Sequence, residues 1–342
     1  MPRPSLALSS FRLLPGVLAL ATLAACGGGG SSGDAAAITN TPAAATTPAP
    51  MAIAASNADT VAARGYEATT GLYDASSSAA GRLKSADGTG RFDVATFVLG
   101  HLRTPFGASG DGVTAKAVQT ATQNCPGGGS LRVTVDDRNN NGQADAGDTA
   151  SFVFTNCVID GTRASGSMAF AFQSYASTAT SETTLVTVSF TALTVVDASG
   201  TNAIDGDLSM LARVALVAPF TSAVTLSGSR LTVTEGGLSR TLTDYSGTLA
   251  LDATAGTYAY TVSGTMSGGS LSGSLSVTTP TRISGRIGSD PTEGVLLLTG
   301  ANKSTVRITV ASPSGVTLAV DANGDGTADS TKSLTWAQFA AL

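Results

Sequence analysis

Residues 137–148 read Asp137-Arg138-Asn139-Asn140-Asn141-Gly142-Gln143-Ala144-Asp145-Ala146-Gly147-Asp148, a run that offers hard oxygen donors at nearly every second residue. Asp137, Asn139, Asn141, Asp145 and Asp148 fall at positions 1, 3, 5, 9 and 12 of this run, glycine falls at position 6, and Gln143 at position 7 offers its carbonyl. The chemistry this order serves is hard-cation coordination: calcium takes roughly six to eight oxygen ligands, and a tight glycine turn folds a short segment around it. A second segment, Asp321-Ala322-Asn323-Gly324-Asp325-Gly326-Thr327-Ala328-Asp329, repeats the spacing with Asp321, Asn323, Asp325, Thr327 and Asp329. Its twelfth position is Lys332, which cannot coordinate a cation, so the set must be completed from elsewhere in the chain or by water. The alternative for both segments is an ion-free Asx- and Gly-rich turn held by side-chain to backbone hydrogen bonds.

The first loop resembles EF-hand and dockerin-type calcium loops over its twelve residues, and the resemblance implies calcium as the ion. It departs from the EF-hand in carrying Asp148 in place of the bidentate glutamate, and in having strand-like flanks where an EF-hand has helices. Pairing those flanks about the loop sets Leu131 opposite Phe154 and Val133 opposite Phe152, which makes one face of a hairpin apolar in register. Cys125 and Cys157 flank the open end of that hairpin, offset by three residues that Pro126-Gly127-Gly128-Gly129 can take up. An isolated pair of this kind in an exported protein reads as a disulfide.

Nucleophilic and metal catalysis are thinly supplied. The only histidine, His101, has no nucleophile-elbow serine near it in sequence, and one histidine with two disulfide-prone cysteines does not make a three-ligand zinc site. The acids cluster in turn-like segments, and Trp336 is the sole tryptophan available for sugar stacking, so the chain reads as a non-enzyme. Lys and Arg number 19 against 24 Asp and Glu, for a formal charge of −5, which leaves no basic surface to neutralise phosphates and argues against nucleic-acid binding.

Near the start, Arg3 and Arg12 precede an apolar run, Leu13 to Leu23, that is too short to span a bilayer. The run ends in Leu23-Ala24-Ala25-Cys26, followed at once by Gly27-Gly28-Gly29-Gly30. This resembles a bacterial lipobox, and the resemblance implies that Cys26 becomes an acylated N-terminus holding the protein to a membrane. Position 27 is glycine and not aspartate, which in enterobacterial lipoproteins favours onward transport to the outer membrane. The cysteine and polyglycine start is also similar to that of lipoproteins that display β-barrels at the cell surface, so both periplasmic and surface-facing placements follow. Residues 27–52 are almost entirely Gly, Ser, Ala, Thr and Pro, the composition of a tether.

These residues must be positioned by a larger body. The organisation expected is a signal peptide over 1–25, a tether over 26–52, a helical segment over 53–106 and a β-rich domain over 107–342. Asn57 and Asp59 are candidate caps of one helix, and Phe92 to Leu102 has the apolar spacing of a second. Beyond Gly107 the period changes to two, with Leu131, Val133 and Val135, then Val186, Val188 and Phe190, then Tyr258, Tyr260 and Val262, each on one face. A short polar residue and glycine recur before an apolar one, as in Ser165-Gly166, Asp205-Gly206, Ser246-Gly247, Ser263-Gly264 and Ser272-Gly273. Glycine inside strands points to sharp curvature or close backbone approach. Charged residues at 13% suit neutral strands and turns better than long solvated helices. The fold expected is mainly β, an antiparallel meander forming a curved sheet, half-barrel or barrel with a short N-terminal helical segment. The function expected is that of a lipid-anchored envelope protein with a binding or structural role, its loops stiffened by calcium, for which the residues imply no particular protein, glycan or apolar ligand. The alternatives are a carrier with a cavity for an apolar ligand, and a hydrolase with two convergent acids.

Overall fold

A computed structural model of the protein describes residues 48–79, 82–84, 91–93, 118–139, 145–159, 161–197, 200–287, 289–311 and 314–342. The first elements among the described residues are helix α1 (Ala58–Ala79) and a small hairpin of β1 (Arg82–Lys84) and β2 (Arg91–Asp93). The meander then runs through β3 (Val118–Asn124), β4 (Ser130–Asp136), β5 (Thr149–Ile159), β6 (Thr162–Ser177), β7 (Ser181–Asp197) and β8 (Gly200–Ala215). It continues through β9 (Thr221–Glu235), β10 (Leu238–Asp252), β11 (Thr257–Gly268), β12 (Ser274–Arg286) and β13 (Pro291–Thr299). The last elements are β14 (Thr305–Val310), β15 (Gly315–Asp321), β16 (Ser330–Thr335) and helix α2 (Trp336–Phe339).

Strands β3 to β16 form one 14-stranded antiparallel sheet in which every strand pairs with its neighbours in sequence. The sheet is an open meander with β3 and β16 as its edges, so of the curved forms expected the closed barrel is set aside. The expected hairpin register holds: Leu131 faces Phe154 and Val133 faces Phe152 across β4 and β5. The second expected helix does not start where its spacing placed it. Phe92 and Asp93 lie in β2, with Leu83 and Phe92 in register, and the rest of 92–102 lies outside the described residues. Arg91-Phe92-Asp93 is itself a polar-apolar-polar alternation behind the turn-type residues Asp87-Gly88, so local period two overrides the longer helical pattern there.

A crease of β-bulges crosses the sheet. The pairing slips between Phe154 and Cys157 in β5, Ser165 and Ser167 in β6, and Phe190 and Leu193 in β7. It slips again between Gly206 and Ser209 in β8, Thr243 and Ser246 in β10, and Tyr260 and Ser263 in β11. The recurrent glycines sit on this line: Gly166, Gly206 and Gly264 all have positive φ. A Cβ on Gly166 would stand 2.2 Å from the Ala192 carbonyl oxygen, and one on Gly206 2.1 Å from that of Arg230. Both the conformation and the space therefore demand glycine. In β5, β7 and β10 the crease passes through Asn156, Ala192 and Asp244, which are not glycine and yet hold φ near +47°. Each bulge adds local twist to its strand, and the bulges follow one another from β5 to β11.

The face under α1 is filled. Leu131, Val188, Leu208, Leu226, Met266, Val277, Leu298 and Ile308 are all buried on it, strand after strand. Helix α1 lies against this face, burying Ala58, Val61, Ala62, Ala68 and Thr69, a stripe of helical period. The stripe is built from small residues because the contact is close: a Cβ on Gly65 would stand 2.3 Å from Leu298 Cδ1. The helical segment is thus a cover on the sheet. Ion pairs of Glu67 with Arg240, at 3.2 Å, and of Asp59 with Lys332, at 2.6 Å, tie α1 to β10 and β16. Asn57 sits just before the helix and its carbonyl accepts from Val61, while its side chain turns back to the Ala54 N–H and the Ala52 carbonyl.

Candidate functional site

The two oxygen-rich segments occupy opposite ends of the sheet. Residues 137–148 join β4 to β5, whereas 321–329 join β15 to β16 beside the turn between β13 and β14. In the first, Asp137, Asn139, Asp145 and Asp148 are described, and Asn141 and Gln143 lie outside the described residues. Asp148 is buried, at 4% exposure, and its two carboxylate oxygens accept the N–H groups of Arg138 and Asp145 at 3.0 and 2.7 Å. Asn139 Nδ2 donates to Asp145 at 2.8 Å. The carboxylate at the twelfth position therefore closes the loop on itself, and Gly147 is bonded to the neighbouring β6 carbonyl of Phe172.

The second loop is fully described and repeats this economy. Asp321, at 6% exposure, accepts from the Gly324 and Gly326 N–H groups, both at 2.7 Å. Asn323 accepts from the Asp325 N–H, Asp325 from the Thr327 N–H, and Asp329 from the Ala322 N–H. Gly324 and Gly326 supply the left-handed backbone that this winding needs. The Thr327 N–H, with help from the Asn323 side chain, holds the Asp325 carboxyl below the usual carboxylate range. Lys332, the residue at the twelfth position, turns away to Asp59 on α1. Among the described residues, no three His, Cys, Asp or Glu side chains come together as a metal-holding group.

Cys125 and Cys157 are joined in a disulfide with a Cα separation of 5.3 Å. The three-residue offset is taken up as the glycines allow: Gly128 and Gly129 have positive φ, and the Gly127 N–H and Gly128 carbonyl continue the ladder onto Val158. The staple closes the end of the β4–β5 hairpin opposite the 137–148 loop. Cys26 and His101 lie outside the described residues.

Carboxylates that the sequence reading passed over hold the crease. Asp205 accepts from the Ala192 N–H at 2.9 Å and so pins that left-handed residue. Asp207 accepts from the Ser229 N–H and hydroxyl and from the Arg230 N–H, and its own carbonyl accepts from buried Tyr245 Oη at 2.5 Å. The Asp205-Gly206-Asp207 repeat unit was visible in the sequence; its use as a bulge clamp requires knowing the opposing strands. Where α1, β11 and α2 meet, Tyr66, Trp336 and Phe339 form an aromatic cluster, with Tyr66 5.7 Å from Trp336 and 5.4 Å from Phe339. Burial pushes the phenols of Tyr66, Tyr245, Tyr258 and Tyr260 above their ordinary value.

The face opposite α1 carries rows of hydroxyl side chains. Thr187, Ser209, Ser227, Ser246, Ser263 and Thr278 stand in one row across six strands, and the adjoining row includes Thr225, Thr248 and Thr261. Hydroxyls pair across strands, Ser246 with Ser263 at 2.8 Å and Thr248 with Thr261 at 2.7 Å. An open groove of about 860 Å³ continues this face toward the turns, lined by Ala223, Ala250 and Ala259 with Arg213, Arg282 and Arg286. The rows are thus rich in hydroxyls, and charge gathers in the groove, where Asp252 and Glu293 stand with the three arginines. Comparison with known proteins finds no family model, no curated protein and no solved structure that matches this chain.

Proposed function

We propose that this protein is an acylated envelope lipoprotein, attached through Cys26 at the outer membrane, whose sheet serves as a binding and structural module without catalysis of its own. The observation that carries the reading is the Cys125–Cys157 disulfide in a chain that begins with a lipobox-like run: a crosslink of this kind persists in oxidising compartments, to which that run directs the chain. The filled face under α1 supports a binding module over a carrier of apolar ligands, because side chains such as Leu208, Leu226 and Leu298 occupy the space a carried ligand needs. The partner is a protein or glycan met by the hydroxyl-rich face.

Detergent-phase partition of whole cells tests the anchor. The native chain is expected in the detergent phase and the Cys26→Ala chain in the aqueous phase; equal partition of the two overturns the reading.

Calcium belongs to this proposal as the ion suited to the oxygen sets of Asp137, Asn139, Asn141, Gln143, Asp145 and Asp148 and of Asp321, Asn323, Asp325, Thr327 and Asp329. Chelation is expected to lower the melting temperature, and Asp137→Ala to reduce that response by the share due to the first loop. A melt indifferent to chelator removes calcium from the account.

A further inference from the structure

The turns at one end of the sheet form a continuous row. Leu216 N–H donates to the Thr180 carbonyl, linking the β6–β7 turn to the β8–β9 turn. Phe220 N–H donates to Thr254 Oγ1 and its carbonyl accepts from Ala253, linking the β8–β9 turn to the β10–β11 turn. Ile287 N–H donates to the Gly256 carbonyl, which extends the row to the β12–β13 turn. Along this row stand Leu216, Val217, Phe220 and Ile287, exposed by 40, 46, 52 and 36%. The β8–β9 turn alone, Leu216-Val217-Ala218-Pro219-Phe220, carries three of them around a cis Ala218–Pro219 peptide bond. Leucine, valine and phenylalanine are costly choices for a solvated hairpin tip, where Gly, Asn, Asp and Ser serve the turn better. The charges of this end are mixed: Arg213, Arg282 and Arg286 stand among Glu182, Asp252, Asp290 and Glu293. An occupant is therefore held by apolar contact and not by charge.

We infer that this row of turns is a membrane-contacting edge that dips Leu216, Val217, Phe220 and Ile287 into the interfacial layer of a lipid bilayer. The choice of a bilayer as occupant rests on the anchor proposed above and on lengths. The chain meets the sheet at Pro50 beside Ser274, the first residue of β12, and Ile287 follows the last, so the two points lie about 40 Å apart along a 13-residue strand. The 21 residues that follow Cys26, up to Thr47, span at most about 70 Å. An acyl group on Cys26 and the apolar turns thus reach the same bilayer, with the anchor keeping that bilayer at high effective concentration. Four exposed apolar side chains give a weak, reversible membrane contact that is measurable without the anchor at high lipid concentration and that sets which way a tethered chain lies.

The test uses the Cys26→Ala chain, so that its outcome does not depend on acylation. A single cysteine is placed at Val217, or as a control at Leu238, which is 43% exposed at the opposite end of the sheet, and is labelled with an environment-sensitive fluorophore. On neutral phosphatidylcholine vesicles the Val217 label is expected to shift to the blue and the Leu238 label to stay unchanged, equally in low and high salt. Leu216→Ser with Phe220→Ser is expected to lower vesicle binding at least tenfold while leaving the melting temperature unchanged. No shift at Val217, or equal shifts at both positions, overturns the inference; binding only to anionic vesicles that salt abolishes overturns it in favour of an electrostatic contact. Failure of the anchor alone shows instead as normal vesicle binding by a chain whose Cys26 carries no acyl group.

Discussion

At the residue scale, the crease is where side-chain identity matters most. Ala192 holds a left-handed conformation that costs a non-glycine residue roughly 1–2 kcal/mol, and Asp205 keeps it there. Ala192→Gly relieves that cost and returns part of it as greater unfolded-state freedom, so a net gain of about 0.5–1 kcal/mol is expected. Gly206→Ala is expected to lose at least about 2 kcal/mol, since its Cβ would meet the Arg230 carbonyl. Denaturant titration checks both, and loss in the first or tolerance of the second contradicts the bulge account. The buried tyrosines give a pH signature. Their folded-state pKa values lie above the unfolded value of about 10, so they leave stability untouched below that pH and erode it as pH rises beyond, where only the unfolded chain ionises. Phenolate absorbance from Tyr66, Tyr245, Tyr258 and Tyr260 is therefore expected to appear together with unfolding. Gradual ionisation ahead of unfolding runs against it. Which glycines need to be glycine was half legible in the sequence: the repeat marked Gly166, Gly206 and Gly264, while Asn156, Ala192 and Asp244 gave no sign, because their backbone is set by the strand opposite.

At the scale of elements, the β4–β5 hairpin was the most legible part of the chain. Alternating Leu131 and Val133 against Phe152 and Phe154 admits one register, since a slip of one residue turns every apolar side chain to solvent. The cysteine offset then pointed to the disulfide. Closing a loop with a sequence separation of 32 stabilises by about 3–4 kcal/mol in the chain-entropy model. Reduction without added denaturant is expected to lower the melting temperature by about 5–10 °C, as followed by circular dichroism. An unchanged melt means the hairpin is held by its neighbours and the staple is redundant. The second helix expected over 92–102 shows the opposite case. Spacing alone cannot separate a helix from a short strand when polar and apolar residues alternate over only a few positions, and Phe92 follows the hairpin. Helix α2, four residues long, escaped notice because its apolar face is a single turn; the Thr335 and Gln338 capping box was the available sign.

At the scale of the molecule, the meander was legible and its closure was not. Fourteen consecutive antiparallel strands follow from period-two runs separated by turn residues, but whether the edges meet depends on small twists summed over every pair, and the bulge line sets that sum. The edges stay apart, the inner face fills with leucine, valine and tyrosine under α1, and the outer face is left to serine and threonine. The apolar β8–β9 turn could be read from Leu216-Val217-Ala218-Pro219-Phe220, yet its neighbours along the row could not, as they lie up to about seventy residues on. The proposed state of the protein is an acylated, disulfide-closed chain at an envelope membrane. Intact-mass measurement of the protein isolated from a bacterial envelope under non-reducing conditions tests this most directly. The mass expected is that of a chain starting at Cys26, raised by a diacylglyceryl and an N-acyl group and lowered by the two hydrogens of one disulfide. A chain that keeps residues 1–25, or starts elsewhere with an unmodified Cys26, contradicts it.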